Sequence, residues 1–379
     1  MRLLKCAPIA ALIVVWAAVC HAQVVDSAVE RIVAEHIQAV LPPDQAAGAA
    51  VAVRIEGRTR FFNFGWADLA NGRPVTTETL FNLGSLRKLF ETTLLAQAAD
   101  AGALSLDDSV AKYLTELAQG SDIVRVTLGQ LASHTSGLLL PQDHPPWPDW
   151  GYTLPEFIHT LNEWSADFDH EPGGQHIYTH AGFILLQLAL ERGLGAPIGE
   201  LIERRILRPL GMESTSLPQR DGTPAGELSP EHKRRAVQGY DEDGWPIGDL
   251  GDQQGYYRWP GTSQMYSSVR DMAAFLVANL GDVPIEASLR AGMDLAQQGV
   301  FAMSPHNTQA LAWEIISNGQ EPTIVEKYGG LNNASAYIGM MPNRRLGIVI
   351  LSNRGNTYPN EVGRKILAEL ARHGQVARD

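Results

Sequence analysis

The sequence predicts an α/β fold in two lobes: an antiparallel sheet assembled from both ends of the chain, with a mainly helical lobe inserted between them. Three observations carry this expectation. Segments 48–55 and 58–66 read as paired strands, strand character returns at 336–341 and 346–351, and the region from 104 to about 277 reads as short helices separated by Pro- and Gly-rich loops. At 379 residues the chain can bury a sizeable core. The expected layout is one domain over 23–379, with the α/β lobe at about 23–103 and 290–379 and the helical lobe at about 104–289.

Taken in order, Val29, Ile32, Val33, Ile37 and Val40 recur at helical spacing over 26–41, and Pro42-Pro43 stop that helix. Glu56-Gly57 is the expected turn between the first two strands. After the loop Asn71-Gly72-Arg73-Pro74, the residues Leu86, Leu89, Phe90, Leu94 and Leu95 mark a helix opened by Ser85 and ending near Gly102. Further helices are expected at 106–114, 127–133, 154–164, 181–192, 198–207 and 267–280. Segments 141–151 and 241–261 read as loops bordering a cleft, with Trp147 and Trp150 as loop packing. Pro342-Asn343-Arg344-Arg345 is a hairpin signal between the late strands, and 362–372 is a closing helix.

The first 22 residues read as a signal peptide. Arg2 and Lys5 precede an apolar run over 7–19, and Cys20-His21-Ala22 offers small residues where a signal peptidase cuts. Cleavage after about Ala22, export to the periplasm and no membrane span in the processed chain are the expectations. A lipoprotein signal at Cys20 is the alternative, against which Val19 counts. Both cysteines, Cys6 and Cys20, fall inside this segment, so the processed chain has no disulfide, thiolate metal site or cysteine nucleophile. A net charge of −12 without a long basic stripe argues against nucleic acid as a partner. The expected partner is a small molecule, the expected state a monomer, and no cofactor is expected.

Three short motifs carry chemistry. Ser85 sits at a helix start, where unpaired N–H groups favour developing negative charge, and Lys88 lies one turn on along the same face. A desolvated lysine can accept the serine proton; otherwise Ser85 is an N-cap and Lys88 a surface lysine. Tyr178, in Tyr178-Thr179-His180, precedes a helix and can reach a cleft as a phenolate base; otherwise its ring packs and His180 caps the helix. Lys327, in Lys327-Tyr328-Gly329-Gly330, can bind a carboxylate, and the glycines allow close approach of backbone donors to an oxyanion; otherwise this is a turn with an exposed lysine.

The order and separation of Ser85-x-x-Lys88, Tyr178-x-His180 and Lys327-x-Gly329 resemble the three motifs of the class C serine β-lactamases. The wider family includes penicillin-binding proteins, D-amino-peptidases and related esterases. The resemblance extends to Leu131-Ala132-Ser133-His134-Thr135-Ser136-Gly137, Pro209-Leu210-Gly211-Met212, 267–272, 295–313, 346–353 and Tyr358-Pro359-Asn360, so it spans nearly the whole processed chain. It implies the serine β-lactamase/penicillin-binding-protein fold and an acyl-enzyme mechanism. By this resemblance Ser85 attacks the lactam carbonyl, while Lys88 and Tyr178 share the proton traffic. The N–H groups of Ser85 and Gly330 form the oxyanion hole, and Gln142 contacts the substrate amide. Lys327, with Asn360, holds the substrate carboxylate.

Two positions depart from the family. His180 stands where asparagine is usual, offering one donor and one acceptor in different directions and a charge in mild acid. Tyr328 stands where a small hydroxyl is usual, so its ring either fills part of the cleft or turns out of it. Both substitutions motivate the expectation that carbapenems such as imipenem are handled better than bulky cephalosporins. His176 and His180, near His170, invite a metal reading, but the loop-to-helix transition at Tyr178 argues against the geometry, and no metal is expected. Glu326 is expected to be a salt-bridge partner. The rivals to a β-lactamase are an esterase or D-Ala/D-amino-acid peptidase on the same fold, and a slowly deacylating β-lactam or peptidoglycan receptor.

Overall fold

The computed structural model describes residues 27–41, 46–139, 153–217, 228–251, 265–317, 319 and 322–376. Helix α1 (27–37) precedes β1 (Gly48–Ile55) and β2 (Arg58–Asp68), which pair antiparallel with Ile55 opposite Arg58. Glu56 and Gly57 turn the hairpin with φ of 49° and 72°, the left-handed pair whose twist suits a two-residue connection. β3 (Arg73–Pro74) flanks β2, and β4 (Phe81–Asn82) leads into a 3₁₀ turn, Gly84–Arg87, and then α2 (Lys88–Asp100).

The middle of the chain holds α3 (Leu128–Ala132), α4 (Leu154–Glu163), α5 (His180–Leu194), α6 (Ile198–Ile202), α7 (Arg208–Leu210) and α8 (Pro230–Arg235). Thr127 with Gln130 and Thr153 with Glu156 form complete capping boxes at the starts of α3 and α4, so these starts are set locally. The helix expected over 106–114 is instead a 3₁₀ turn, Val110–Lys112. Ser109 caps it by accepting from Ala111 N and also donates to Val124 O, which ties it to the next 3₁₀ turn, Asp122–Arg125. β5 (Gly239–Tyr240) pairs with β6 (Pro246–Ile247), and β7 (Tyr266–Ser267) pairs with β4.

Next come α9 (Val269–Asn279), α10 (Ala287–Ala296), β8 (Phe301–Ser304), β9 (Asn307–Gln309) and β10 (Glu314–Ile316). Then β11 (Ile324–Leu331), β12 (Ala334–Met341), β13 (Leu346–Ser352) and α11 (Pro359–Val376) complete the chain. The large sheet has the order β3-β2-β1-β13-β12-β11-β10-β9-β8, and every pair is antiparallel. The two ends of the chain meet where β1 pairs with β13, Ala49 opposite Ser352. That junction is the sheet expected from sequence.

Helices cover both faces of this sheet. Val51, Val53, Ile348 and Ile350 face Val29 and Ile32 of α1 and Val362 and Ile366 of α11. Ala50, Ala52, Ile338 and Val349 face the larger core, which includes α2, α5 and α9. Burial on two faces explains why β1, β12 and β13 are apolar along their length instead of alternating. Phe90 of α2 stacks on Phe275 of α9 with ring centroids 4.4 Å apart, locking the serine-bearing segment to the sheet; truncating such a ring costs about 3–5 kcal/mol. Among the described residues no single helix is long and apolar enough to cross a membrane.

Candidate active site

The site begins where β4 ends. Leu83 N donates to Met265 O, and Asn82 Oδ1 accepts from Gly84 N, so the chain enters the 3₁₀ turn already anchored. Gly84 has φ of 51°, and a Cβ there would sit 3.3 Å from Gly330 N. A Cβ on Gly329 would stand 2.4 Å from Leu83 O and 2.9 Å from Ser85 N. These glycines therefore let β11 touch the turn that carries Ser85. Ser85 lies in the 3₁₀ turn, one turn before the α-helix that the sequence pattern assigned it to open.

Helix α2 is buried from Lys88 through Ala98, so Lys88 is 3% exposed and its ammonium is held inside the protein. Lys88 Nζ donates to Ser85 Oγ at 3.4 Å and lies 5.2 Å from the Tyr178 ring centroid. Tyr178 OH is 2.6 Å from Ser85 Oγ. From the sheet side, Lys327 Nζ lies 5.4 Å from the same ring. Tyr178 is 38% exposed, yet desolvation around its hydroxyl opposes ionisation of the phenol. The charges of Lys88 and then Lys327, with hydrogen bonds from Lys88 and Ser85, outweigh it and hold the phenol below the ordinary tyrosine value. Residues from three distant stretches thus converge: Ser85, Lys88, Tyr178, Lys327 and the Gly329–Gly330 backbone.

The chain matches the β-lactamase family model over residues 28–373. The chain belongs to the β-lactamase family. A β-lactamase of Pseudomonas fluorescens is 27% identical over 372 residues, covering 89% of this chain and 94% of that protein. A solved class C β-lactamase superposes with a TM-score of 0.77 at 27% identity, covering 91% of this chain and 97% of the other. A class C β-lactamase in complex with cefoxitin gives a TM-score of 0.76 at 26% identity, covering 90% and 99%.

Within this family member the two unusual residues take distinct positions. Lys327 and Tyr328 leave β11 on opposite faces, as strand neighbours do. Tyr328 pairs in register with Tyr337, which is buried against α11; its hydroxyl lies over Gly330, and its ring stacks on Tyr358 at 6.1 Å. Tyr328 thus lies on the strand face opposite Lys327. His180 opens α5 under the Thr179 cap, with its ring edge-on to Tyr178 at 5.6 Å. Burial, then the charge of Lys88, lowers its titration to about 3, so the charge expected in mild acid does not form.

Asn360 sits in the first turn of α11, two residues past Tyr358, and its Oδ1 is buried without a hydrogen-bond partner among the described residues. Gln142, Trp147 and Trp150 lie outside the described residues, as does the segment 1–22. Of the histidines of the metal reading, His170 pairs with Asp167, His176 packs edge-on to His134, and His180 lies edge-on to Tyr178. Glu326 turns from Ser85 toward α11, accepting from Arg364 and from Tyr337 OH.

Two residues of the site escape the sequence reading. Glu314, on β10, places Oε1 3.6 Å from Lys327 Nζ. His134 stacks on Tyr178 with ring centroids 4.2 Å apart. His134 does lie inside a segment singled out by resemblance, but nothing local marks its ring as a neighbour of Tyr178.

Proposed function

We propose that this chain is an exported serine β-lactamase working through a Ser85 acyl-enzyme. The observation that carries the reading is Ser85 Oγ held at 2.6 Å from Tyr178 OH and 3.4 Å from Lys88 Nζ, with Lys327 over the same phenol ring. Tyr178, as phenolate, takes the serine proton while Oγ attacks the lactam carbonyl. The developing oxyanion lies against the N–H groups of Ser85 and Gly330; one such donor is typically worth about 10²–10³ in rate. The proton passes through Tyr178 and Lys88 to the ring nitrogen as the C–N bond breaks. Water then enters, loses its proton to Tyr178 and cleaves the ester, returning Ser85.

Lys327 and Asn360 would take the substrate carboxylate, and Gln142 and His180 the substituent beside the lactam carbonyl. A neutral, partly buried imidazole at 180, edge-on to Tyr178, supports preference for a small substituent, hence carbapenems over bulky cephalosporins. The ring of Tyr328, on the strand face opposite Lys327 and stacked on Tyr358, is the second departure that motivates this preference.

Steady-state kinetics on imipenem, cephalothin and a D-Ala-D-Ala peptide, with Ser85→Ala as control, tests the reading. Imipenem turnover abolished by Ser85→Ala is the expected result, and better turnover of cephalothin removes the carbapenem preference. One observation favours a second reading. Because Glu314 already pairs with Lys327, a neutral ester could occupy the cleft without a carboxylate. Hydrolysis of p-nitrophenyl esters with no lactam turnover would decide for an esterase. N-terminal sequencing of the periplasmic form tests cleavage after about Ala22.

A further inference from the structure

We propose that His134 is a positioning residue that holds the Tyr178 phenol against Ser85. The inference rests on the proposed role of Tyr178 and concerns how that side chain is kept in place.

His134 follows α3 and is completely buried. Its φ of 56° lies in the left-handed region, an uncommon backbone state for a residue with a Cβ. In this conformation the residue grips the 177–179 segment at three points. His134 O accepts from Ile177 N at 2.8 Å, and His134 Nδ1 accepts from Thr179 N at 3.2 Å. Its ring stacks on Tyr178 between them, at an interplanar angle of 29°. The peptide N–H groups on both sides of Tyr178 are therefore held by the residue that supports its ring. Phe183, 5.0 Å from the His134 ring and 5.1 Å from Lys88 Nζ, completes the packing.

The acceptor role at Nδ1 requires a neutral imidazole with its proton on Nε2. Burial, and then the charges of Lys327 and Lys88, keep this ring unprotonated well below the ordinary histidine range. The same two lysines that acidify Tyr178 thus preserve the histidine that supports it. Among the described residues, the groups facing Tyr178 are Ser85 and Lys88 from the turn and α2, Lys327 from β11, His134 after α3 and His180 from α5; Glu314 reaches it through Lys327. Displacing the phenol from the two ammonium groups raises its pKa toward the ordinary value, so the basic requirement of the reaction moves to higher pH.

Two variants test this. His134→Phe keeps a ring and removes the Nδ1 acceptor; His134→Asn keeps an acceptor and tolerates the left-handed backbone. The expected result for His134→Phe is a fall of about 10²-fold in kcat with KM little changed, the order found when a reacting group is misplaced by an ångström. His134→Asn should lie between this variant and the wild type. The second readout needs no turnover: NMR titration of ¹³Cζ-labelled tyrosine, with Tyr178→Phe giving the assignment. The Tyr178 resonance should titrate at higher pH in His134→Phe than in the wild type, and nearer the wild type in His134→Asn. Wild-type kcat per folded molecule and an unmoved Tyr178 titration in His134→Phe would overturn the proposal. If the wild type hydrolyses no β-lactam, the functional reading fails, while the titration still decides the positioning role.

Discussion

The Lys327 ammonium and the Glu314 carboxylate stand 3.6 Å apart at the edge of the site, with Lys327 3% and Glu314 28% exposed. Lys327 therefore answers to two partners, since its Nζ also lies over the Tyr178 ring. A substrate carboxylate would compete with Glu314 for the same cation, and whatever Glu314 neutralises is lost to the acidification of Tyr178. Glu314→Gln should therefore lower KM for anionic β-lactams by about 2–10-fold, since partly exposed charges interact by about 1 kcal/mol. It should also shift the rising limb of the pH–rate profile to lower pH. An unchanged KM would show that Glu314 does not restrain Lys327.

Tyr178→Phe removes the group 2.6 Å from the Ser85 hydroxyl while preserving the ring that His134 and the two lysines touch. Loss of a general base typically costs about 10²–10⁴ in rate. Stopped-flow acylation should fall by that range with the folded state intact. In the wild type, activity should rise with pH through the depressed phenol pKa and level off above it, because the phenolate is the working form. A variant acylating at the wild-type rate would transfer the base role to Lys88.

Stability should fall in acid through the buried imidazole of His134 and the partly buried one of His180. His180 titrates at about 3 in the folded chain, and His134 well below its usual value, whereas both accept protons near 6.5 when unfolded. Below 6.5 the unfolded chain binds more protons. Their contribution is therefore complete above that pH and is lost as pH falls toward about 3. Each such histidine adds a slope of up to about 1.4 kcal/mol per pH unit. Urea melts from pH 7 to 4 should show the fall, and His180→Asn should flatten it. An identical slope in that variant would contradict the burial argument.

Glu326 is buried beside Lys327 in sequence, but its carboxylate serves Arg364 and Tyr337 on the α11 side. Glu326→Ala should destabilise the fold by about 2 kcal/mol, discounted from fully buried pairs because Arg364 is 37% exposed. kcat per folded molecule should hold. A large loss of kcat at unchanged stability would place Glu326 in the chemistry.

The boundary between local and distant information runs through the site itself. The Glu56-Gly57 hairpin, the Thr153 capping box and the Ser85–Lys88 spacing depend on residues a turn or less apart, so they could be read from the chain. The sheet built from both termini was legible because β1, β12 and β13 are buried on two faces and are therefore mostly apolar. The polar or very short segments β8 to β10 announce themselves by no such pattern, and with them Glu314 was missed.

Resemblance named the roles of Ser85, Lys88, Tyr178 and Lys327, yet contacts spanning many residues had to be closed by folding before their surroundings could be judged. Only the tertiary structure decided that Tyr328 turns to the other strand face and that burial suppresses the His180 charge. It alone brought His134 beneath Tyr178 and Glu314 onto Lys327. The physical reason is common to all four. Strand alternation, desolvation and charge–charge distance are set by neighbours far away in sequence, which periodicity and local spacing do not record.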